Sequence, residues 1–251
     1  MKSLPVLGSI LVFLLLAATI VSRGQPAPAP EPEVQDNDTT PLHVALVNYK
    51  TGNYAKARAA IDEADKEKPG DFDTRLLKAR ILAEQKEYAA GEKILHGLLA
   101  LQPTPPPAQV LEAQLALGDL LLREHSFERA AKYYERALLS KPKDPDILLK
   151  LVYARVGSSD LIRAGNYASQ LSPMDPKNPY DDHASYYFAR AALAQSTGNT
   201  EQAENDIQTA RTIYGNTITN RYLRTYLQVF ASSEKNTDET PAPLPKNQPA
   251  K

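Results

Sequence analysis

The chain has 251 residues, with 29 Lys and Arg against 30 Asp and Glu and a formal net charge of −1. That balance offers no global field to attract nucleic acid or an anionic membrane surface. The absence of cysteine removes disulfides, thiolate metal sites and cysteine nucleophiles together.

From the amino terminus, residues 4–21 carry no charge and follow Lys2. A helix over that stretch is about 27 Å long at ~1.5 Å per residue, close to the ~30 Å hydrocarbon core of a bilayer. It is long for a secretory signal, whose apolar core runs to about 7–15 residues. Ser22 and Gly24 form only a weak cleavage pair before Gln25, because Arg23 lies between them. Residues 1–24 are therefore expected to be an uncleaved single-span anchor or a removed signal peptide. Either one puts the remainder outside the cytoplasm. Residues 25–40 alternate proline with small and acidic residues. They read as an extended spacer, in which residues 25–33 alone reach about 28 Å at ~3.1 Å per residue.

The middle of the chain is periodic. Its strongest unit is residues 111–144, where Leu117, Gly118 and Leu121 mark one amphipathic helix. Phe127, Ala130, Tyr134 and Ala137 mark a second, and Pro142 ends the unit. Earlier units repeat this order with Tyr54, Ala57 and Pro69, then with Tyr88, Gly91 and Pro103. Both tyrosines and both prolines stand 34 residues apart (88−54 and 103−69). After a proline-rich insertion at residues 104–108 and the strong unit comes a degenerate one, with Leu161, Ala164, Ala168 and Pro176. A second insertion, containing Pro179, leads to a last unit with Gly198, Ala203, Ile207, Ala210 and Gly215. Unit boundaries are expected near 38–71, 72–103, 109–144, 145–178 and 182–215. Residues 216–234 hold one further amphipathic helix, and residues 235–251 are too polar and proline-rich to fold.

This spacing resembles the tetratricopeptide repeat, a 34-residue helix–turn–helix with small residues where its helices touch and a closing proline. No unit has the family's tryptophan, because the chain contains none. The resemblance implies an all-α fold: a right-handed α-solenoid of about five hairpins, each burying its second face against its neighbours, closed by a C-terminal capping helix. Ala57, Gly91, Ala130, Ala164 and Ala203 are then close-approach positions, and Tyr54, Tyr88, Phe127 and Leu161 are packing residues.

In this family the first helix of each repeat lines a concave surface that takes peptides or helices. Carried over by repeat position, that groove comprises Leu42 and Tyr49, Leu76 and Arg80, Leu115, Asp119 and Leu122, Lys150 and Tyr153, and Phe188. The wall reads as mostly apolar, so a hydrophobic helix or strand is the expected guest. Members that clamp a terminal carboxylate need Lys and Asn in the first groove helix, where Leu42 and Leu46 stand here. Capture of such a tail is disfavoured.

Chemistry is sparse. His43, His96, His125 and His183 are too far apart for helical ligand spacing, and neither a nucleophile elbow nor a phosphate-binding glycine loop occurs. Asp181, Asp182 and His183 cluster just before a helix, where capping is the expected role. No catalytic, cofactor or metal site is assigned. The expected function is a non-catalytic scaffold for a protein or peptide partner on the extracytoplasmic side of the membrane, in envelope, secretion, pilus or cytochrome-maturation assembly. The alternatives are a self-associating structural protein, hence a homo-oligomer, and a regulatory subunit of an enzyme. No nucleic acid is expected, and membrane contact is expected only through residues 1–24.

Overall fold

The computed structural model describes residues 39–173 and 183–230. The apolar stretch, most of the spacer, the second insertion and residues 235–251 lie outside the described residues. Among those described there are helices and no strand. In order these are α1 (Pro41–Lys50), α2 (Tyr54–Glu67), α3 (Phe72–Glu84), α4 (Tyr88–Leu99), α5 (Pro107–Arg123), α6 (Phe127–Ser140), α7 (Pro145–Gly157), α8 (Leu161–Ala168), α9 (Ser185–Ser196) and α10 (Thr200–Phe230). Gly215, at φ 75° and ψ 172°, breaks α10 into two segments, 200–214 and 216–230.

The helix starts follow local chemistry. Thr40, Asn53, Asp71, Asp144 and Asp160 each accept a backbone N–H of the first turn with a side-chain oxygen. α5 begins at Pro107, inside the stretch expected to be an insertion. Proline is well suited to the first helical position, where its missing N–H leaves no bond unmade. α9 has Ala184 at its N-cap and no side-chain cap. Asp181 and Asp182 lie outside the described residues.

The turns share one device. Gly52, Lys86, His125, Ser159 and Gly198 occupy the same slot between the two helices of each hairpin, and all have φ between 60° and 80°. Three of them carry side chains at an angle that glycine takes most cheaply.

Packing explains the repeat. Ala57, Ala130, Ala164 and Ala203 are buried, and so is Gly91. A Cβ built at Gly91 would lie 2.7 Å from Leu120 Cδ1. The Phe127 ring rests on the bare backbone of Gly157, and the Tyr134 ring rests on Gly118. Aromatic rings are thus seated where neighbouring helices offer no side chain, and each contributes about 1.5–3 kcal/mol by burial. The column thins at Leu161, which is 39% exposed at the start of an eight-residue helix.

Odd-numbered helices touch in succession, α1 to α3, α3 to α5 and α7 to α9, and form one wall. Across the α5–α7 step, α10 touches both helices.

Candidate functional site

The wall's water-facing edge is ionic. Arg80 on α3 faces Glu112 on α5 at 4.0 Å. Nearer the C-terminal ends of the same helices, Arg123 meets Glu84 at 2.8 Å. Lys150 on α7 reaches Asp119 on α5 at 2.7 Å, and the buried Tyr134 hydroxyl donates to the same carboxylate at 2.8 Å. These pairs link adjacent groove helices, so they set the register between repeats. The Arg80 and Lys150 pairs are partly exposed and contribute about 0–1 kcal/mol each, while the Glu84 side chain is nearly buried.

Three predicted groove residues, Arg80, Asp119 and Lys150, therefore sit on this edge with partly exposed side chains. Leu42, Tyr49 and Leu115 are half-buried against the core. Tyr49, Arg80 and Asp119 line one small cavity of about 50 Å³. Burial raises the pKa of the Tyr49 hydroxyl, and the nearby Glu84 carboxylate adds to the rise.

The other four predicted groove residues need correction. Leu76 and Leu122 are each 3% exposed, Tyr153 is 1% and Phe188 is 0%. Leu76 and Leu122 are closed off between adjacent repeats, while Tyr153 and Phe188 are covered by the aromatic rings of segment 216–230. The exposed wall is consequently charged, where a mostly apolar one was expected. Glu84 and Arg123 were missed, although each stands four residues beyond a predicted residue (84−80 and 123−119) and so on the same helical stripe.

The last helix, expected to cover the final repeat, packs on α9 of that repeat and runs on along the wall to α7. Tyr222 stacks on Phe188 of α9 with ring centres 5.6 Å apart. Tyr226 meets Phe188 at 6.1 Å and Tyr153 of α7 at 6.4 Å, both edge-on. The Tyr222 hydroxyl donates to Asp146 Oδ1 at 2.7 Å, and Gln228 borders a cavity with Glu84, Arg123 and His125. Burial raises the Tyr222 pKa, with the Asp146 hydrogen bond adding to it, and burial raises Tyr226 to about 12. His183 Nδ1 lies 3.3 Å from the Tyr222 hydroxyl, beside Asp146.

Two cavities flank this helix. One, of about 230 Å³, is lined by Asp146, Lys150, Tyr153, Arg221 and Thr225. The other, about 400 Å³, surrounds Gln228. The Tyr153 hydroxyl is buried without a hydrogen-bond partner. Among the described residues, no three side chains converge as metal ligands, and no helix is long and apolar enough to cross a membrane.

Two tetratricopeptide-repeat family models match the chain, at residues 49–115 and 111–154. The human protein O-mannosyl-transferase TMTC1 is 25% identical over 107 residues, which is 43% of this chain and 12% of that protein. The chain thus spans about an eighth of this relative's length. A thermophilic tetratricopeptide-repeat protein of Thermus thermophilus superposes with a TM-score of 0.56 at 19% identity, covering 74% of this chain and 97% of that one. PilW, a type IV pilus biogenesis factor, gives 0.54 at 17% identity over 73% and 81%. Hairpins nested through small residues, a left-handed residue at each hairpin turn and both family matches lead to one assignment: this chain carries tetratricopeptide repeats.

Proposed function

We propose that the protein is a non-catalytic scaffold whose odd-helix wall captures a protein partner. We propose further that residues 1–24 and the proline spacer hold it on the extracytoplasmic side of a membrane, within an envelope, secretion, pilus or cytochrome-maturation assembly. The observation carrying the first half is the row Arg80, Glu84, Asp119, Arg123 and Lys150. Groove helices of three consecutive repeats present these charges side by side beside Tyr49, with Arg80, Asp119 and Lys150 partly exposed. Such a row supplies steering and register for a partner, while half-buried Leu42, Tyr49 and Leu115 supply apolar area. The apolar, uncharged run at residues 4–21 and the following prolines support the second half.

Photocrosslinking in cells tests the partner. A crosslinking side chain at Arg80 should trap a discrete protein. The same group at Ile162 on α8, which is 81% exposed, should not. The reverse pattern would move the binding surface to the even helices. Protease added to spheroplasts should cleave residues 39–230, and protection there would overturn the extracytoplasmic placement.

A further inference from the structure

Segment 216–230 behaves as a ligand in its contacts. Tyr222, Tyr226 and Phe230 recur every four residues and form one stripe. Tyr222 and Tyr226 are 6% exposed, while Arg224 and Leu227 face water. The stripe reaches helices of two repeats, through Phe188 on α9 and through Tyr153 and Asp146 on α7. This is the pattern of an amphipathic helix laid into a groove.

The attachment is a single residue. Gly215, at φ 75° and ψ 172°, holds a conformation essentially limited to glycine, and a Cβ there would touch nothing. An isolated helix of this length is marginal in water, so docking sustains its helicity. The fit is also incomplete. Cavities of about 230 and 400 Å³ flank the helix. Thr225 and Tyr153 both line the first of them, and the buried Tyr153 hydroxyl has no hydrogen-bond partner.

We propose that residues 216–230 are a resident pseudo-ligand, and that the partner of this groove is an amphipathic helix with aromatic side chains at four-residue spacing that displaces them. This rests on the scaffold reading and names its guest. The guest carries a long hydrogen-bond acceptor, Glu or Gln, at the place of Thr225, where it satisfies the Tyr153 hydroxyl and fills the cavity. Because the resident occupies the site in cis, it lowers apparent affinity for any guest by the fraction of time it is docked. Occupancy of nine-tenths conceals about tenfold.

The test uses the full chain and labelled peptides of residues 216–230, read by fluorescence anisotropy. Gly215→Ala favours continuation of α10 as one straight helix, which swings 216–230 off the wall and leaves the wall unaltered. Tyr226→Ala weakens the resident's grip directly. Gly215→Ala should capture the peptide about tenfold or more tighter than the unaltered chain. A peptide carrying Thr225→Glu should bind tighter again, and one carrying alanine at 222, 226 and 230 should not bind. Should Tyr226→Ala fail to fold, Gly215→Ala carries the test alone. Equal capture by altered and unaltered chains, capture of the aromatic-free peptide, or no capture by Gly215→Ala overturns the proposal. A Gly215→Ala chain that dimerises without taking peptide assigns the groove to a second copy's helix and also overturns it. Arg80 crosslinks in cells with no peptide capture would leave the scaffold standing and remove the pseudo-ligand; the opposite result would do the reverse.

Discussion

The Tyr222 hydroxyl donates to Asp146 Oδ1 at 2.7 Å, joining positions 76 residues apart in the chain. Asp146 lies in the first turn of α7, and Tyr222 in the segment after the Gly215 break. This bond fixes the last segment against the wall at a chosen height, which ring stacking alone leaves free. Tyr222→Phe keeps the stack on Phe188 and deletes the bond. It should lower unfolding free energy by about 1–1.5 kcal/mol, since the acceptor is charged but partly hydrated. Urea titration measures this, and an unchanged midpoint would show that the stack alone holds the segment.

Alkaline pH should loosen the same contact set. The hydroxyls of Tyr134, Tyr153, Tyr222 and Tyr226 all ionise above the ordinary value of 10, chiefly because they are buried. In that interval the unfolded chain has lost protons that the folded chain still holds, so stability falls as pH rises. It is fully present below pH 10 and is lost from Tyr226 as pH climbs toward about 12. Tyr226 alone contributes on the order of 2 kcal/mol. Urea midpoints at stepped pH check the slope; a midpoint that holds steady above pH 10 would refute it.

Two glycines give opposite forecasts. At Gly118 a Cβ would lie 2.4 Å from the Tyr134 ring, which is fully buried. Gly118→Ala should therefore cost about 1–3 kcal/mol by overpacking, outweighing its gain in helix propensity. At Gly165, inside α8, a Cβ meets nothing within 4 Å. Gly165→Ala should stabilise by about 0.5–1 kcal/mol. Thermal melts of the pair should shift in opposite directions; shifts of one sign would undo the packing account.

The hairpin turns offer a gain without touching the core. Lys86 and Ser159 are exposed and hold φ of 64° and 61°. Lys86→Gly and Ser159→Gly should each raise stability by about 0.5–1 kcal/mol, because relief of left-handed strain exceeds the added entropy of the unfolded chain. Chemical denaturation reads this directly, and loss of stability would mean that these side chains hold contacts worth more than the strain.

Arg155 is 2% exposed and donates to Glu128 at 3.0 Å and Glu135 at 2.5 Å, while the Tyr167 hydroxyl also donates to Glu135. The fork ties α7 to α6 from inside the stack. Arg155→Lys offers one nitrogen where two are used and should cost about 1.5–3 kcal/mol. Normal unfolding of that variant would show the network to be dispensable.

Local spacing by itself determined that this chain builds stacked helical hairpins. Phe127, Ala130 and Pro142 mark helix, contact and stop within one unit. Such signals survive in sequence because each depends on neighbours three, four or 34 residues away. Tertiary structure alone decided which faces stayed wet. Leu76 and Leu122 share helix faces with Arg80 and Asp119, and only the closeness of adjacent repeats puts them inside, while Tyr153 and Phe188 are inside because segment 216–230 covers them. It also decided where residues 216–230 went. Their stripe of Tyr222, Tyr226 and Phe230 called for an apolar partner of any kind, and the backbone angle at Gly215 turned it onto α9 and α7.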